Sequence, residues 1–327
     1  MRTEYLYLAI IFFTFITLVL VISMALILLR KKNILRKRKL LANYLEEWVM
    51  NVILENNIEA NHVFSIPNYL QFLLQGKLAK KVLLRELMKA KKSLSGNSGD
   101  NLVKIYNQLN LQEISLRRVA SKLWHIKVKG IQELAIMNQH SNHEKIFELT
   151  NHKDYMVRME AQTAMVRLQG YKGLQFFDNL SYQLTEWHQL NLLSLLAHLP
   201  VTTENGIYNW LNSSNASVVQ FSLKLIAEQH AIEYYDEVVK CLSHPNLIVR
   251  REAILCLGQM PSNEAAAKLN RRFFAEPDKN IRLCIINEFM KTGSEKDLQF
   301  LQTLQHVKDA DIKLAANKTV LHLQNFI

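Results

Sequence analysis

The sequence predicts an all-α fold in which one transmembrane helix precedes an α-solenoid, that is, a stack of antiparallel helix pairs. Three observations support this prediction. Glycine and proline are rare, an uncharged apolar run stands near the N-terminus, and an apolar pattern recurs about every 31 residues from Ile126 onward. Together they describe a chain with a membrane anchor and a repetitive helical body.

The composition favours helices throughout. The 327 residues include only nine glycines and five prolines, and 49% of all residues are apolar. A β-rich fold would need turn residues roughly every 8–12 positions. Leu, Ala, Lys, Glu and Gln are common instead, and they lose little conformational freedom in a helix. The three cysteines are Cys241, Cys256 and Cys284, and they have no CxxC spacing. Buried free thiols are therefore expected, and neither a disulfide framework nor a zinc site is predicted.

The net charge of +11 is concentrated near the N-terminus. Residues 1–39 carry a balance of +7 and residues 40–130 one of +6, whereas residues 131–327 carry −2. Proteins that bind nucleic acid need basic residues along the binding face of the folded body, because phosphate contacts supply much of the affinity. The distal body is nearly neutral, so nucleic acid is not expected as a partner.

The uncharged run extends from Tyr5 to Leu29. As a helix it is about 37 Å long, which exceeds the roughly 30 Å of a bilayer's hydrocarbon core. A secretory signal peptide is the competing interpretation. It would carry basic residues before a shorter apolar stretch, and a small-residue cleavage site after it. Here the basic residues follow the run, so the run is predicted to be a membrane anchor.

A basic segment (residues 30–39) follows the anchor and sets its orientation. Its seven bases are Arg30, Lys31, Lys32, Arg36, Lys37, Arg38 and Lys39. Short flanks rich in Lys and Arg stay on the cytoplasmic side. The N-terminus is therefore expected outside and the body inside, as a single-pass protein of the plasma (inner) membrane of a bacterium. The segment is also expected to attract anionic lipid headgroups, at up to about 1 kcal/mol per residue.

The repeat is clearest in LSHPNLIVRREAILCLGQM, residues 242–260. Its valine before the double arginine has counterparts along the chain, here named register residues: Ile126, Val157, His188, Val219, Val249, Ile281 and Ile312. The positions four and eight residues beyond each one are apolar, and these positions share one face of a helix. Shorter amphipathic segments separate these helices. One helix pair cannot bury its apolar face alone, so successive pairs are expected to stack.

A turn such as His-Pro-Asn or Glu-Pro-Asp, then Val-Arg or Ile-Arg, then a helix with a small residue, resembles the HEAT repeat. The resemblance is strongest over residues 242–292. It implies a superhelix whose second helices line the concave surface, and a ladder of polar contacts between neighbouring repeats. Gln189 and Gln220 depart from that pattern, so an interruption of the ladder is expected there. The implied ladder residues are Asp154, Arg158, Arg250, Asp278, Arg282, Asp309 and Lys313.

Five segments are expected along the chain. Residues 40–115 contain amphipathic helices that do not fit the repeat register, and terminal units of solenoids are commonly atypical. The expected organisation is an external tail (1–4), the transmembrane helix (5–29), the basic juxtamembrane segment (30–39), a helical N-terminal cap (40–115) and the HEAT-like solenoid (116–327).

Motifs for catalysis are lacking. No phosphate-binding glycine loop, GxSxG or HExxH motif occurs. His140 and His143 stand beside Glu144, but zinc sites use at least three protein ligands. Deoxyhypusine hydroxylases, which are HEAT-like enzymes, use several His-Glu pairs, and this sequence has one. No catalytic residue, metal or cofactor is predicted.

Two other HEAT-like enzyme classes offer a comparison. DNA-alkylation glycosylases need a basic concave groove with aromatic residues. The candidates here are Trp124, Trp187 and Trp210, yet aromatic residues at helical spacing are more often part of a core. Phycobilin lyases are excluded by no local feature, although a membrane anchor would be unusual for one.

The expected function is that of a membrane-anchored cytoplasmic scaffold or adaptor, which binds partner proteins of a membrane-associated complex. The alternative is a HEAT-like enzyme of the lyase type with an unrecognised site. Residues two and five or six positions beyond each register residue point away from the core stripe. They either form a partner surface or are buried by neighbouring repeats. The residues selected for this surface are Met159, Arg251, Leu255, Leu283 and Asn287.

Overall fold

A computed structural model of the protein describes residues 2–55, 63–197, 199, 206–260 and 264–326. All regular secondary structure in these ranges is helical, which confirms the predicted class: seventeen α-helices and four 3-10 helices. The chain forms two compact units, Met1–Gln139 (unit 1) and His140–Ile327 (unit 2).

Unit 1 begins with a single helix, α1 (Arg2–Leu54), of 53 residues. The sequence predicts a membrane span, a basic segment and a cap helix over these residues. In the structure, α1 runs through all three without a break. Residues 2–54 contain no proline or glycine, so nothing interrupts the hydrogen-bond ladder. The other helices described in unit 1 are α2 (Asn68–Leu74), α3 (Lys77–Lys91), α4 (Gly96–Gln108), α5 (Gln112–Val119) and α6 (Trp124–Ile136).

Helix α1 has an exposed part and a packed part. Every described side chain from Tyr7 to Leu40 is exposed. From Leu45 onward one face is buried, and Trp48 and Val52 join the core of unit 1. Within the described ranges, α1 alone is long and apolar enough to cross a membrane. The core is completed by side chains of α3 and α4, among them Leu83, Leu84, Leu87, Leu102 and Ile105.

Helices α5 and α6 cross at very close range at Gly130. A Cβ atom at this position would lie 2.6 Å from the backbone nitrogen of Val119 and 2.7 Å from the carbonyl oxygen of Ser115. The missing side chain therefore lets α6 lie directly on the backbone of α5. Beside the crossing, the buried Glu133 accepts a hydrogen bond from Ser115 Oγ at 3.0 Å and pairs with Arg118. Burial raises the pKa of Glu133, and the charge of Arg118 opposes that effect.

Unit 2 consists of two alternating sets of helices. The register residues lie in every other element, and α8 packs on α9, α11 on α13, α13 on α15 and α15 on α17. A 3-10 helix, Gly170–Asn179, takes the place of the intervening helix between α8 and α9. The helices are α7 (His143–Phe147), α8 (Tyr155–Gln169), α9 (Glu186–Leu196), α10 (Ile207–Leu211), α11 (Ala216–Gln229), α12 (Tyr235–Cys241), α13 (Leu247–Leu257), α14 (Ala265–Ala275), α15 (Lys279–Thr292), α16 (Leu298–Leu304) and α17 (Ala310–Phe326).

The register residues of unit 2 form a buried stripe. All six, from Val157 to Ile312, are at most 4% exposed, and the residues four and eight positions beyond them are buried as well. His188 is the polar member of this stripe. Its Nε2 atom lies 2.9 Å from Gln162 Oε1, and its Nδ1 atom has no hydrogen-bond partner among the described residues. Burial, assisted by the charge of Arg158, lowers the pKa of His188 to about 4, so the imidazole is neutral near pH 7.

Candidate interaction surface

The three aspartates of the implied ladder cap their own helices. Asp154 accepts hydrogen bonds from two backbone N–H groups at 3.0 and 3.2 Å, and Asp278 accepts one at 3.0 Å. Asp309 accepts two, at 3.0 and 3.3 Å. The first turn of a helix leaves these N–H groups without a partner inside the helix. Asp309 also contacts the preceding register helix, because Lys279 Nζ lies 2.9 Å from its carboxylate.

The three arginines turn back onto the loop before their own helix. Arg158, Arg250 and Arg282 each donate a hydrogen bond to the carbonyl oxygen six residues earlier, at 2.5, 3.1 and 2.6 Å respectively. The repeated Val-Arg or Ile-Arg pair therefore has a local role. The aliphatic residue enters the core, and the arginine closes the turn. Lys313, at the equivalent position of the last repeat, is exposed.

The contact that Arg250 makes between repeats uses another acidic residue than the resemblance implies. Arg250 forms a bidentate pair with Glu276 of the next repeat, at 2.9 Å (Nε–Oε2) and 2.8 Å (Nη2–Oε1). Arg272 Nη2 lies 2.6 Å from the same carboxylate, which is fully buried. Burial raises the pKa of Glu276, but hydrogen bonds from Arg250 and Arg272 outweigh it and hold the pKa at about 2. The buried carboxylate is therefore ionised. In the first repeat of unit 2, Arg158 instead lies 3.8 Å from the ring centroid of Tyr182.

Amides continue the polar contacts in the middle of unit 2. Gln189 Nε2 donates to Gln220 Oε1 at 3.1 Å, and Gln220 Nε2 donates to Glu252 Oε2 at 3.4 Å. Lys224 Nζ lies 3.9 Å from the same glutamate and 3.7 Å from Glu186. This series of side-chain contacts therefore links α9, α11 and α13. The two glutamines, which depart from the HEAT pattern, replace arginine–carboxylate contacts with amide contacts at the place where an interruption was expected.

The five residues selected as a partner surface fall into two groups. Arg251 and Asn287 are exposed, and Met159, Leu255 and Leu283 are half-buried. The equivalent positions of α11 are largely enclosed. For example, Phe221 of α11 is fully buried, with its ring 4.9 Å from that of Phe177. The exposed face is therefore not continuous along unit 2.

The last three register helices each carry exposed residues at these positions. Helix α13 packs on α15 and α15 packs on α17, so these positions lie on neighbouring helices. The last repeat adds two residues outside the predicted partner surface: Leu314, which is 70% exposed, and Lys318. The α13–α17 surface is defined here as Arg251, Leu255, Leu283, Asn287, Leu314 and Lys318.

Two of the three tryptophans considered above are on the surface, which corrects the expectation that they belong to a core. Trp124 is 48% exposed and Trp187 is 64% exposed. Trp187 stands beside Leu190, three residues on and 55% exposed, on α9. Trp210 is buried and donates a hydrogen bond to Asp178 Oδ1 at 2.7 Å. Periodicity alone cannot distinguish these environments, because exposure depends on which helices pack nearby.

The described chain holds little that resembles a reactive centre. Among the residues that the structure describes, no three or more His, Cys, Asp or Glu side chains gather as metal ligands. The ring of His143 makes a 2.8 Å contact with the carbonyl oxygen of His140. Burial raises the pKa of the thiols of Cys241, Cys256 and Cys284 to about 11, 12 and 11, respectively. These thiols are therefore protonated near neutral pH and are poor nucleophiles.

The basic segment lies on α1 directly after the apolar part. Its seven side chains are exposed along a continuous helix: Arg30, Lys31, Lys32, Arg36, Lys37, Arg38 and Lys39. None of them forms an ion pair with another residue of the described ranges. Their charge therefore remains available to solvent or to an anionic surface.

Residues 235–320 match the family model of HEAT repeats. The α13–α17 surface lies entirely within this matched part of the chain. No curated protein matches the sequence.

Three solved structures resemble parts of the chain. An engineered protein is 14% identical, with a TM-score of 0.35 over 75% of this chain and 80% of its own. The complex of CpcE and CpcF of phycocyanin lyase from Nostoc sp. is 15% identical, with a TM-score of 0.28 over 84% of this chain and 94% of that one. A designed armadillo repeat protein is 12% identical, with a TM-score of 0.24 over 85% and 99%. None of these three likenesses bears on what this chain binds.

Proposed function

We propose that this protein is a membrane-anchored cytoplasmic scaffold that binds partner proteins through the α13–α17 surface. The observation that carries the proposal is the exposed face shared by three successive helices. Leu314 on α17 is 70% exposed, Leu283 at the equivalent position of the neighbouring α15 is half-buried, and Leu255 on α13 is half-buried as well. A group of neighbouring exposed apolar side chains often marks an interaction site.

The charge of this surface defines the partner's chemistry. Arg251 and Lys318 are exposed on it, whereas the nearby glutamates are buried and paired. Glu288 is hydrogen-bonded by Lys291 Nζ at 3.0 Å, and Glu252 lies beside Lys224. The surface therefore offers leucines and uncompensated positive charge. A partner segment with apolar residues flanked by Asp or Glu complements it.

Binding, and not catalysis, is the role we assign to unit 2. The alternative hypothesis of a lyase-type enzyme would require a deep cavity with convergent polar groups, and such sites typically measure about 300–1,000 Å³. The two cavities described in unit 2, beside Tyr171 and beside Tyr208, have volumes of about 180 and 160 Å³. Leucine, arginine and asparagine side chains supply apolar area and hydrogen-bond donors, which suit protein recognition.

The membrane anchor in this proposal is the apolar part of α1. Its side chains are exposed from Ile10 to Leu29, and burial in a bilayer would remove this apolar area from water. About 20 apolar residues suffice to cross the hydrocarbon core. The basic segment that follows would hold the C-terminal side in the cytoplasm, where the leaflet carries anionic lipids.

Charge reversal on the α13–α17 surface tests the proposed function. Arg251→Glu with Asn287→Glu places two acids on the surface, and both replaced side chains are exposed. The matched control is Arg271→Glu with Gln302→Glu, at exposed positions on α14 and α16, in the other set of helices. A photo-crosslinking amino acid at Leu314 then captures partners in membranes from intact cells.

We expect the yield of the main crosslinked partner to fall about tenfold in the surface variant, equivalent to about 1.4 kcal/mol of binding free energy. The control should retain the original yield. Equal yields from both variants, with both chains folded by circular dichroism, would refute the α13–α17 surface as the binding site. Residues 40–115 would then become the better candidate.

A further inference from the structure

Unit 1 contains a cavity of about 650 Å³ between the start of α3 and the α5–α6 pair. This volume falls within the range of small-molecule sites, about 300–1,000 Å³. Its lining contains no acidic residue. Six of the ten lining residues are basic: Lys77, Lys80, Lys81, Arg117, Arg118 and Lys129.

The positive charge of this cavity is only partly compensated. Arg118 pairs with the buried Glu133, and Arg117 lies 3.7 Å from Glu113 in an exposed pair. The three lysines from α3 form no ion pair with any carboxylate in the described part of the chain. Several cations therefore line one open cavity without a neutralising partner, an arrangement that favours a bound anion.

The placement of these lysines is unfavourable for helix stability. The first five residues of α3 include three lysines and no acid, and Gly76 at the N-cap offers no side-chain hydrogen bond. A helix N-terminus carries partial positive charge and unsatisfied N–H groups, so cations there are repelled and anions are attracted. The lysine charges at the start of α3 therefore destabilise this helix. An anionic ligand in the adjoining cavity would offset that destabilisation.

We propose that this cavity binds a phosphate-bearing anion, and that the phosphate belongs to the headgroup of an acidic membrane lipid. Lysine and arginine are the side chains that bind phosphate oxygens most strongly. Ile114 and Ile126 also line the cavity. A free inorganic anion would leave these apolar side chains in contact with water, whereas the glycerol portion of a lipid would cover them.

The cavity lies at the end of unit 1 that faces the basic segment of α1. Ser98 Oγ donates to the carbonyl oxygen of Ile53 at 3.0 Å, and Lys91 Nζ lies 3.9 Å from Asp100. These contacts place the end of α3 and the start of α4 beside the end of α1. Helix α3 therefore runs parallel to α1, and its first residue, Lys77, lies at the end of α3 that is nearer the basic segment. The lipid source rests on the proposed membrane anchor, whereas anion binding itself does not.

Photo-crosslinking in lipid nanodiscs tests the proposal with the full chain. A photo-crosslinking amino acid at the exposed, cavity-lining position Gln75 captures molecules held in the cavity or at its mouth. The test variant is Lys77→Gln with Lys81→Gln. The matched control is Lys89→Gln with Lys92→Gln, two exposed lysines at the other end of α3 and outside the cavity. The nanodiscs contain phosphatidylcholine with or without phosphatidylglycerol.

We expect adducts of phosphatidylglycerol in the original chain and in the control, and an approximately tenfold loss in the test variant, equivalent to ~1.4 kcal/mol. The test variant should unfold at the same or a higher temperature without ligand, because the lost lysines repel the helix end. A second arm measures the unfolding temperature of the full chain in neutral detergent with inorganic pyrophosphate.

The two arms separate the possible results. No lipid adduct, but stabilisation by pyrophosphate that the test variant lacks, would support a phosphate site and overturn the lipid source. That result would stand even if the chain is not membrane-anchored. Neither lipid adducts nor stabilisation, or equal responses from the test and control variants, would overturn the phosphate site itself.

Discussion

Arg250 and Glu276 are 26 positions apart in the sequence and form a bidentate ion pair across two neighbouring repeats, with Glu276 fully buried. The same arginine closes the turn before its own helix through the carbonyl oxygens of His244 and Pro245, both at 3.1 Å. One side chain therefore joins the turn of one repeat to the loop of the next.

Arg250→Ala should destabilise the protein without a direct effect on partner binding. Removal of the guanidinium leaves the buried carboxylate of Glu276 with Arg272 as its remaining ion-pair partner among the described residues. It also removes the donor to the carbonyl oxygens of His244 and Pro245. The expected loss is about 1–3 kcal/mol in the free energy of unfolding. Urea denaturation of the full chain in detergent measures it. The adjacent, exposed Arg251→Ala is the control and should stay within about 0.5 kcal/mol. Unchanged stability with lost partner binding would show that Arg250 belongs to the binding site.

Stability should depend on pH through His188. Its pKa is about 4 in the folded chain and 6.5 in the unfolded chain, so the unfolded state binds the proton first as the pH falls. The stabilisation is fully present above pH 6.5 and is lost progressively as the pH falls toward 4. When the pH is lowered from 7 to 4.5, the shifted pKa of this residue should reduce the free energy of unfolding by about 2–3 kcal/mol. His188→Gln should remove that part of the slope, and the exposed His140→Gln should not. Identical slopes for all three proteins would contradict the buried, neutral imidazole.

The close crossing of α5 and α6 is tested by Gly130→Ala, through the sign of the resulting change in stability. In an ordinary helix interior this change adds about 1 kcal/mol of stability. Here the new methyl group would overlap the backbone of α5 at Val119 and Ser115, which cannot move aside as a flexible side chain can. We expect a net loss of about 1–2 kcal/mol, since overpacking costs more than the propensity gain. The neighbouring Lys129→Ala should be nearly neutral. A stabilised Gly130→Ala protein would show that the two helices are farther apart.

The sequence predicts the repeated helices well because their signals are local. Each register residue, such as Val249, lies on an apolar face that recurs at helical spacing, and all of those in unit 2 are buried. The aspartate caps follow from the same local rule. Leu314 and Lys318 could also have been selected, since they occupy in the last repeat the positions that Leu283 and Asn287 occupy in the one before.

Features that depend on tertiary structure were not predictable. Glu276 precedes Pro277 in a turn, where a charged residue is ordinarily exposed. Arg272 lies only four residues before it, but Arg250 reaches it only in the folded chain. The basic cavity of unit 1 joins residues about 50 positions apart, from Lys77 to Lys129. Neither a period nor a motif connects such residues, because their proximity arises from the packing of α3 against α6.

The central claim is that α1 anchors the chain with its body in the cytoplasm, and a reporter fused after Ile327 measures this most directly. In bacterial cells, a C-terminal fluorescent protein should be bright and membrane-bound, and a C-terminal alkaline phosphatase should be inactive, because the seven bases after Leu29 hold that flank inside. An N-terminal epitope should remain on the same polypeptide and be accessible from outside. Active phosphatase at the C-terminus, or loss of the epitope by cleavage after the apolar run, would contradict the account.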